Sequence, residues 1–521
     1  MLMKQRIGLV LISALFLTAA FPAIGWSLFA WIALIPFFYA LRGLDFWQGF
    51  SLGSLLGLIH FCGILYWIGY PVTKYAHMSI FLAMGAVFLL SFILSIFIGV
   101  FGVAIVSVIN RPALFYFGTP VFFLAVEYAR STFFSGFPWA LLGASQYNQS
   151  LILQTADLFG VWGITFLLVL GNAAIFLMIE SFRFYSRLKK QHEKSIFVLI
   201  FIFPLLLAAV IYYGHGRLLN IEKRSYESNH VRAAILQGNI LPSLKWDTAR
   251  RNQTMDKYIK LALTPTAQSA DLIVLPETAL AFQLVQEETS WSYMRAHIFP
   301  TKSWFVVGAP YSKEDKEITR YFNSAFLINP QGRIVDRYDK AHLVPFGEYS
   351  PAVPFGGRVA LPGLGDFTPG EAGQILKTDK MILGPQICYE VIFPKYSRLT
   401  SQNGANILVN LTEDGWYGKT SGPYQHFSLT VLRAVENRRA LIRAANTGFS
   451  GFVLPSGKVL TKSKLYEEAV LVADLPILKE KTVYQTIGDL LPQTCLVLLT
   501  IWFLFQIMIY SRQKKGCKKG G

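Results

Sequence analysis

Long apolar runs fill the first 216 residues and return near the end of the chain. Stretches at 7–22, 23–41, 48–69, 79–108, 113–130, 151–180, 195–213 and 490–510 approach the roughly 20 residues that cross a bilayer as helix, and predict about eight spans. Phe21, Pro22 and Gly25 separate the first two, marking either a tight turn between helices or a kink in one element. A cleaved leader is the alternative for the start, since Lys4 and Arg6 precede an apolar run and Thr18-Ala19-Ala20 offers small residues. The later spans make such a leader unnecessary.

From about 217 to 489 the texture changes to short β-branched runs between turn residues, mixed with amphipathic helical stretches. Strands are predicted at Val231–Gln237, Leu272–Leu275, Trp304–Gly308, Ser324–Ile328, Met381–Ile387, Ile407–Asn410 and Leu441–Ala445, with a helix at Gly422–Asn437. Several are continuous apolar runs suited to a sheet buried on both faces. The expected organisation is therefore a helical membrane domain over 1–216 with about seven spans, an α/β domain over 217–489, and a last span with a basic tail over 490–521.

Composition agrees: 53% hydrophobic residues, 15% aromatic residues and a mean hydropathy of +0.41 exceed what a soluble surface tolerates. The formal charge of +17 invites a nucleic-acid reading. Yet the basic residues concentrate at Arg183, Arg187, Lys189, Lys190 and Lys194 and in the tail from Arg512 to Lys519, without the interleaved aromatics of a nucleic-acid platform. With a cytoplasmic N-terminus, the connections at Arg42 and Arg111, the Arg183–Lys194 run and the tail all fall on the cytoplasmic side. The α/β domain is then expected to be extracytoplasmic, in the periplasm of a Gram-negative cell.

Polar residues inside the apolar region are costly unless paired or interfacial, so Glu127, Arg130 and Asp157 have either a structural role or a place along a lipid headgroup path. Of the four cysteines, Cys62, Cys388, Cys495 and Cys517, only Cys388 lies in the α/β domain, and no disulfide framework is suggested. His215, His230, His342 and His426 lack metal-ligand spacing, and there is neither a phosphate loop nor a dinucleotide fingerprint, so no metal or cofactor is expected.

Three pieces carry candidate chemistry. In Asp271-Leu-Ile-Val-Leu-Pro-Glu277-Thr278 an apolar strand delivers an acid at its end. In Asp339-Lys340-Ala341-His342 a strand leads to a lysine, with Glu348 shortly after. In Gly384-Pro-Gln-Ile-Cys388-Tyr389-Glu390 a thiol ends an apolar strand, where a following helix dipole and a nearby cation would favour thiolate. Taken singly, the acid is a cap, the lysine a surface charge and the cysteine a buried small hydrophobe.

In this order and with these local sequences, the three pieces resemble the nitrilase superfamily. With the spans added, the chain is similar to the apolipoprotein N-acyltransferase family over nearly its full length. Further matching pieces are Gln237-Gly-Asn-Ile240 with Lys245-Trp246-Asp247, Tyr321-Phe-Asn-Ser324, Asn410 to Tyr417, and Arg438 to Gly448. The resemblance implies an α-β-β-α sandwich on the membrane anchor. It also implies a trio in which Glu277 is general base, Lys340 stabilises an oxyanion and Cys388 is the nucleophile.

The implied reaction moves an acyl chain from a membrane phospholipid, through a thioester, to the N-terminal amine of a diacylated apolipoprotein, at the bacterial inner membrane and without a cofactor. The resemblance further implies that Trp246, Glu348, Tyr389 and Glu390 support activity; no mannosyltransferase-like extension is seen, so a fused second enzyme is not expected. The Pro/Gly-rich apolar stretch between Glu348 and Glu371 is expected to be a mobile lid touching the bilayer. Two other readings stay open: a membrane-tethered amidase using the same trio, and a transporter or receptor, which would leave the trio unexplained.

Overall fold

The computed structural model describes the chain except residues 185–189, 299–300, 316–317, 354–356, 359–365 and 518–521. Two compact units emerge: Met1–His215 with Ile487–Gly521, and Gly216–Thr486.

The first unit is helical. Among the described residues, six helices are long and apolar enough to cross a membrane: Phe46–Lys74, Ile80–Val108, Pro112–Thr132, Ala156–Phe182, Ile200–Glu227 and Leu490–Arg512. The count of eight is not reached because the first two expected spans are short. Met3–Ala19 has 17 residues, and the stretch expected at 23–41 folds as a 3₁₀ turn, Ser27–Trp31, and a seven-residue helix, Ile35–Leu41.

Small residues let two of the long helices approach closely. A Cβ at Gly53 would lie 2.4 Å from the Ile98 carbonyl oxygen, and one at Gly102 would lie 2.2 Å from that of Gly49. The polar residues Glu127, Arg130 and Asp157 are all hydrogen-bonded. Buried Arg130 donates to the carbonyls of Phe137 and Trp139 at 2.7 Å each, while Glu127 accepts from the Leu142 N–H at 2.7 Å and the Thr165 hydroxyl at 3.1 Å. Together they staple the loop after Thr132 to its own helix. Asp157 accepts from the Tyr213 hydroxyl at 2.7 Å. In that same loop, Trp139 is buried against Trp67 with centroids 4.7 Å apart, whereas Phe134 is 99% exposed.

The second unit holds fourteen strands among its described residues: β1 His230–Gln237, β2 Leu272–Val274, β3 Trp304–Asp315, β4 Ile318–Ile328, β5 Ile334–Asp339, β6 Ala352–Val353, β7 Gly357–Arg358, β8 Leu376–Lys377, β9 Ile382–Ile387, β10 Ile407–Thr412, β11 Ala440–Ala445, β12 Gly451–Val453, β13 Val459–Lys462 and β14 Ala469–Pro476. They form two six-stranded sheets, ordered β14-β1-β2-β3-β4-β5 and β13-β12-β11-β10-β9-β8, and one small pair. Each large sheet has three parallel central strands, β1-β2-β3 and β9-β10-β11, flanked by antiparallel neighbours.

Alternation of side chains builds the layers. Val231, Ala233, Ile235, Leu272 and Val274 of one sheet share a core with Leu383, Ile387, Ile407, Val409 and Ile442 of the other, so the sheets pack face to face. The opposite face, through Ala234, Leu236, Ile273 and Val307, packs on Met255, Tyr258, Trp291 and Met294 from helices Arg251–Ala262 and Glu288–Ile298. Helices Pro394–Gln402 and Gly422–Asn437 lie against β9 and β11 of the second sheet. The result is an α-β-β-α sandwich. Residues 354–356 and 359–365 of the expected lid lie outside the described residues.

Candidate active site

The ends of β2, β5 and β9 converge. Leu275 and Pro276 carry the chain from β2 to Glu277, a buried side chain. Thr278 turns away with a φ of 43°, and the turn leans on β3 at Gly308. A Cβ there would lie 2.2 Å from the Pro276 carbonyl oxygen and 2.8 Å from Glu277 Cα, so only glycine admits this approach.

Lys340 follows β5 and is 1% exposed. Its Nζ donates to Glu348 Oε1 at 2.8 Å and lies 3.6 Å from Glu277 Oε1. Asn323 on β4 joins the acids, donating through Nδ2 to Glu277 Oε1 at 2.8 Å and to Glu348 Oε1 at 3.0 Å. Glu348 Oε2 accepts from the Val344 N–H at 2.8 Å. Burial works against the Lys340 ammonium, but the carboxylates of Glu348 and Glu277 outweigh it and hold its pKa above the usual lysine range. Glu277 Oε2, by contrast, accepts no hydrogen bond from any described residue.

Cys388 sits directly after β9 with a φ of 50°, in the left-handed region that non-glycine side chains avoid. Glu390 holds that bend. Its Oε2 accepts from the Ile387 N–H at 2.6 Å, and its Oε1 from the Tyr338 hydroxyl at 2.7 Å and the N–H groups of Ala341 and His342 at 2.7 and 3.0 Å. One carboxylate thus ties the turn carrying the thiol to the turn after Lys340. Tyr389 packs edge-on against Phe393 and near His342.

The α-helix expected to favour thiolate at this turn is not formed. Cys388 opens a five-residue 3₁₀ turn, Cys388–Ile392, rather than an α-helix with a full dipole. Burial first, then the negative charge of Glu277, push the thiol up, and the pull of Lys340 does not compensate. The cysteine is therefore held as a neutral thiol.

Trp246 stands apart from this constellation. It is 54% exposed and lines a small crevice with Lys245, Asp247, Arg251 and Phe282. Its neighbour Lys245 is the buried one, donating to the Glu277 carbonyl at 2.9 Å and to Glu413 Oε2 at 2.7 Å. Sequence reading also gave no role to Asp414, His426 or Arg443, although Asp414 and Arg443 fall in the stretches Asn410 to Tyr417 and Arg438 to Gly448. His426 Nε2 lies 3.2 Å from the Cys388 carbonyl oxygen, and Arg443 binds both oxygens of Asp414. No group of three or more His, Cys, Asp or Glu among the described residues is arranged to hold a metal ion.

Similarity to known proteins extends over both units. Residues 232–481 match the carbon-nitrogen hydrolase family, and residues 13–174 match the apolipoprotein N-acyltransferase N-terminal domain. An apolipoprotein N-acyltransferase of Geobacter metallireducens is 36% identical, over 94% of this chain and 92% of its own length. The chain belongs to the apolipoprotein N-acyltransferase family. Another member, from Rhodopseudomonas palustris, is 31% identical over 86% of this chain and 84% of its own. Among solved structures, an amidase from Nesterenkonia sp. AN1 is 23% identical, covering 48% of this chain and 92% of that one, with a TM-score of 0.37. As a member of the N-acyltransferase family this chain is an enzyme of acyl transfer, built as a multi-pass membrane protein.

Proposed function

We propose that this enzyme takes an acyl chain from a membrane phospholipid onto Cys388 and passes it to the N-terminal amine of the diacylglyceryl-cysteine of an apolipoprotein. The observation that carries this reading is one buried constellation: a neutral thiol on a strained turn, an acid with one unengaged oxygen, and a lysine whose charge is locked on.

In the first half-reaction Glu277 takes the Sγ proton as sulfur attacks the ester carbonyl. Lys340 Nζ stabilises the oxyanion, helped by the Tyr389 N–H at the start of the 3₁₀ turn. Collapse breaks the C–O bond, Glu277 returns its proton to the glycerol oxygen, and a lysophospholipid leaves. In the second, the amine attacks the thioester, Glu277 takes the amine proton and delivers it to the departing sulfur, and the C–N bond replaces the C–S bond. Glu348 and Asn323 fix Lys340 and one oxygen of Glu277, which leaves the other oxygen for proton transfer. Tyr389 and Glu390 support the thiol, and Trp246 serves substrate packing or the membrane surface.

The catalytic unit is assigned to the periplasmic side of the inner membrane. The helices that enter and leave it, Ile200–Glu227 and Leu490–Arg512, carry basic clusters beyond their far ends, at Arg183–Lys194 and Arg512–Lys519. Labelled phospholipid incubated with the purified enzyme should leave a hydroxylamine-sensitive adduct. Absence of the adduct, or its survival in Cys388→Ser, refutes the thioester.

A further inference from the structure

Glu413 and Asp414, consecutive residues after β10, each reach a backbone carbonyl of a reacting residue. Glu413 Oε2 binds Lys245 Nζ at 2.7 Å, and that same nitrogen donates to the Glu277 carbonyl at 2.9 Å. Both side chains are nearly fully buried. Asp414 pairs with Arg443 at 2.8 Å and its Oδ1 also lies 3.0 Å from His426 Nδ1, Arg443 donates to that same Nδ1 at 2.9 Å, and His426 Nε2 meets the Cys388 carbonyl at 3.2 Å. A carbonyl only accepts, so Nε2 carries the imidazole proton, and burial with the adjacent Arg443 charge keeps the ring neutral despite Asp414.

The local design is tight. A Cβ at Gly448 would lie 2.3 Å from Asp414 Oδ2, and Asn446 Nδ2 donates to Glu413 Oε2 at 2.6 Å, so the turn after β11 is shaped around both acids. Asn410 adds a second link, accepting from Arg443 and facing the Cys388 carbonyl at 3.5 Å.

We infer that Glu413 and Asp414 form a yoke of positioning residues: one arm, through Lys245, seats the Glu277 turn, and the other, through Arg443 and His426, seats the Cys388 turn. A single dipeptide at the end of β10 thereby sets the separation of base and nucleophile. This rests on the roles proposed above for Glu277 and Cys388. The two arms differ in what their loss does. Losing the Lys245 arm misplaces the base and leaves the thiol in position, whereas losing the His426 arm misplaces the thiol itself.

The test is alkylation of Cys388 in the full-length detergent-solubilised enzyme by iodoacetamide, read by mass spectrometry of the Cys388 peptide between about pH 6 and 9.5. Lys245→Met should slow the reaction at least about tenfold near pH 7, with the deficit shrinking as hydroxide replaces the base at alkaline pH. The double variant Lys245→Met/Glu413→Gln, which leaves no unpaired buried charge, should behave alike and guards against misfolding. His426→Ala should be slow by the same factor at every pH, and His426→Gln, whose amide can donate to the carbonyl, should recover most of the rate.

Glu277→Gln distinguishes a failed base from a failed yoke. If it alkylates like the wild type, the proposed base fails. If it is slow while the Lys245 and His426 variants match the wild type, the yoke alone fails. A pH-independent loss common to both arms, tracking a common fall in thermal stability, also overturns the yoke.

Discussion

Glu390 illustrates how much one side chain decides at this site. Burial lifts its carboxyl to about 6, against the Ile387 N–H, Lys340, the Tyr338 hydroxyl and the His342 N–H. Above that pH the carboxylate accepts every donor aimed at it. Protonated, it must turn a donor toward a donor, and the Cys388 turn loosens. Acyl-enzyme formation is therefore expected to fall as pH drops through about 6, and Glu390→Gln should lose at least about tenfold at about pH 7.5 together with that acid limb, measured by single-turnover pH profiles. For stability the sign reverses. Because the folded chain holds this proton more tightly, about 2 kcal/mol is present below the ordinary value of 4.5 and lost as pH rises through about 6. Glu277, Lys340 and Cys388 were legible in the sequence because each ends a strand inside a specific motif. Asn323 and Lys245 fell in pieces that carried the resemblance, but their contacts and those of His426 were not legible, since they join residues 46, 32 and 38 positions apart.

At the scale of elements, the buried strands read clearly because β2, β9, β10 and β11 are mostly apolar and almost wholly buried. β14 escaped sequence reading because most of its residues are only partly buried, and its place beside β1 is set by antiparallel pairing rather than by composition. The first two expected spans are not confirmed, their helices Met3–Ala19 and Ile35–Leu41 having 17 and seven residues. Strand packing also makes a prediction at Gly308, where β3 passes under the Glu277 turn. Gly308→Ala should push that turn away, cost about 1–3 kcal/mol in thermal unfolding and lower acyl transfer by at least about tenfold. Retained activity in a folded variant would show that the turn does not need this close approach.

For the whole molecule, the charge pattern and the chemistry have to agree on a side of the membrane. Single cysteines placed at Lys313 in the catalytic unit and at Lys515 in the tail, in a background where Cys62 and Cys517 are replaced by serine, should differ in labelling of intact spheroplasts by a membrane-impermeant maleimide. Lys313→Cys is expected to react at once and Lys515→Cys only after permeabilisation. The reverse pattern would place the catalytic unit in the cytoplasm. Whether the thioester is made for an amine rather than for water is decided by isolating the acylated enzyme and mixing it with a diacylated lipopeptide bearing a free N-terminus. The label is expected to leave Cys388 and appear in an amide on the peptide, with little free fatty acid. Discharge to free fatty acid at the same rate with or without the peptide, leaving the peptide unmodified, would contradict acyl transfer and make the enzyme a hydrolase.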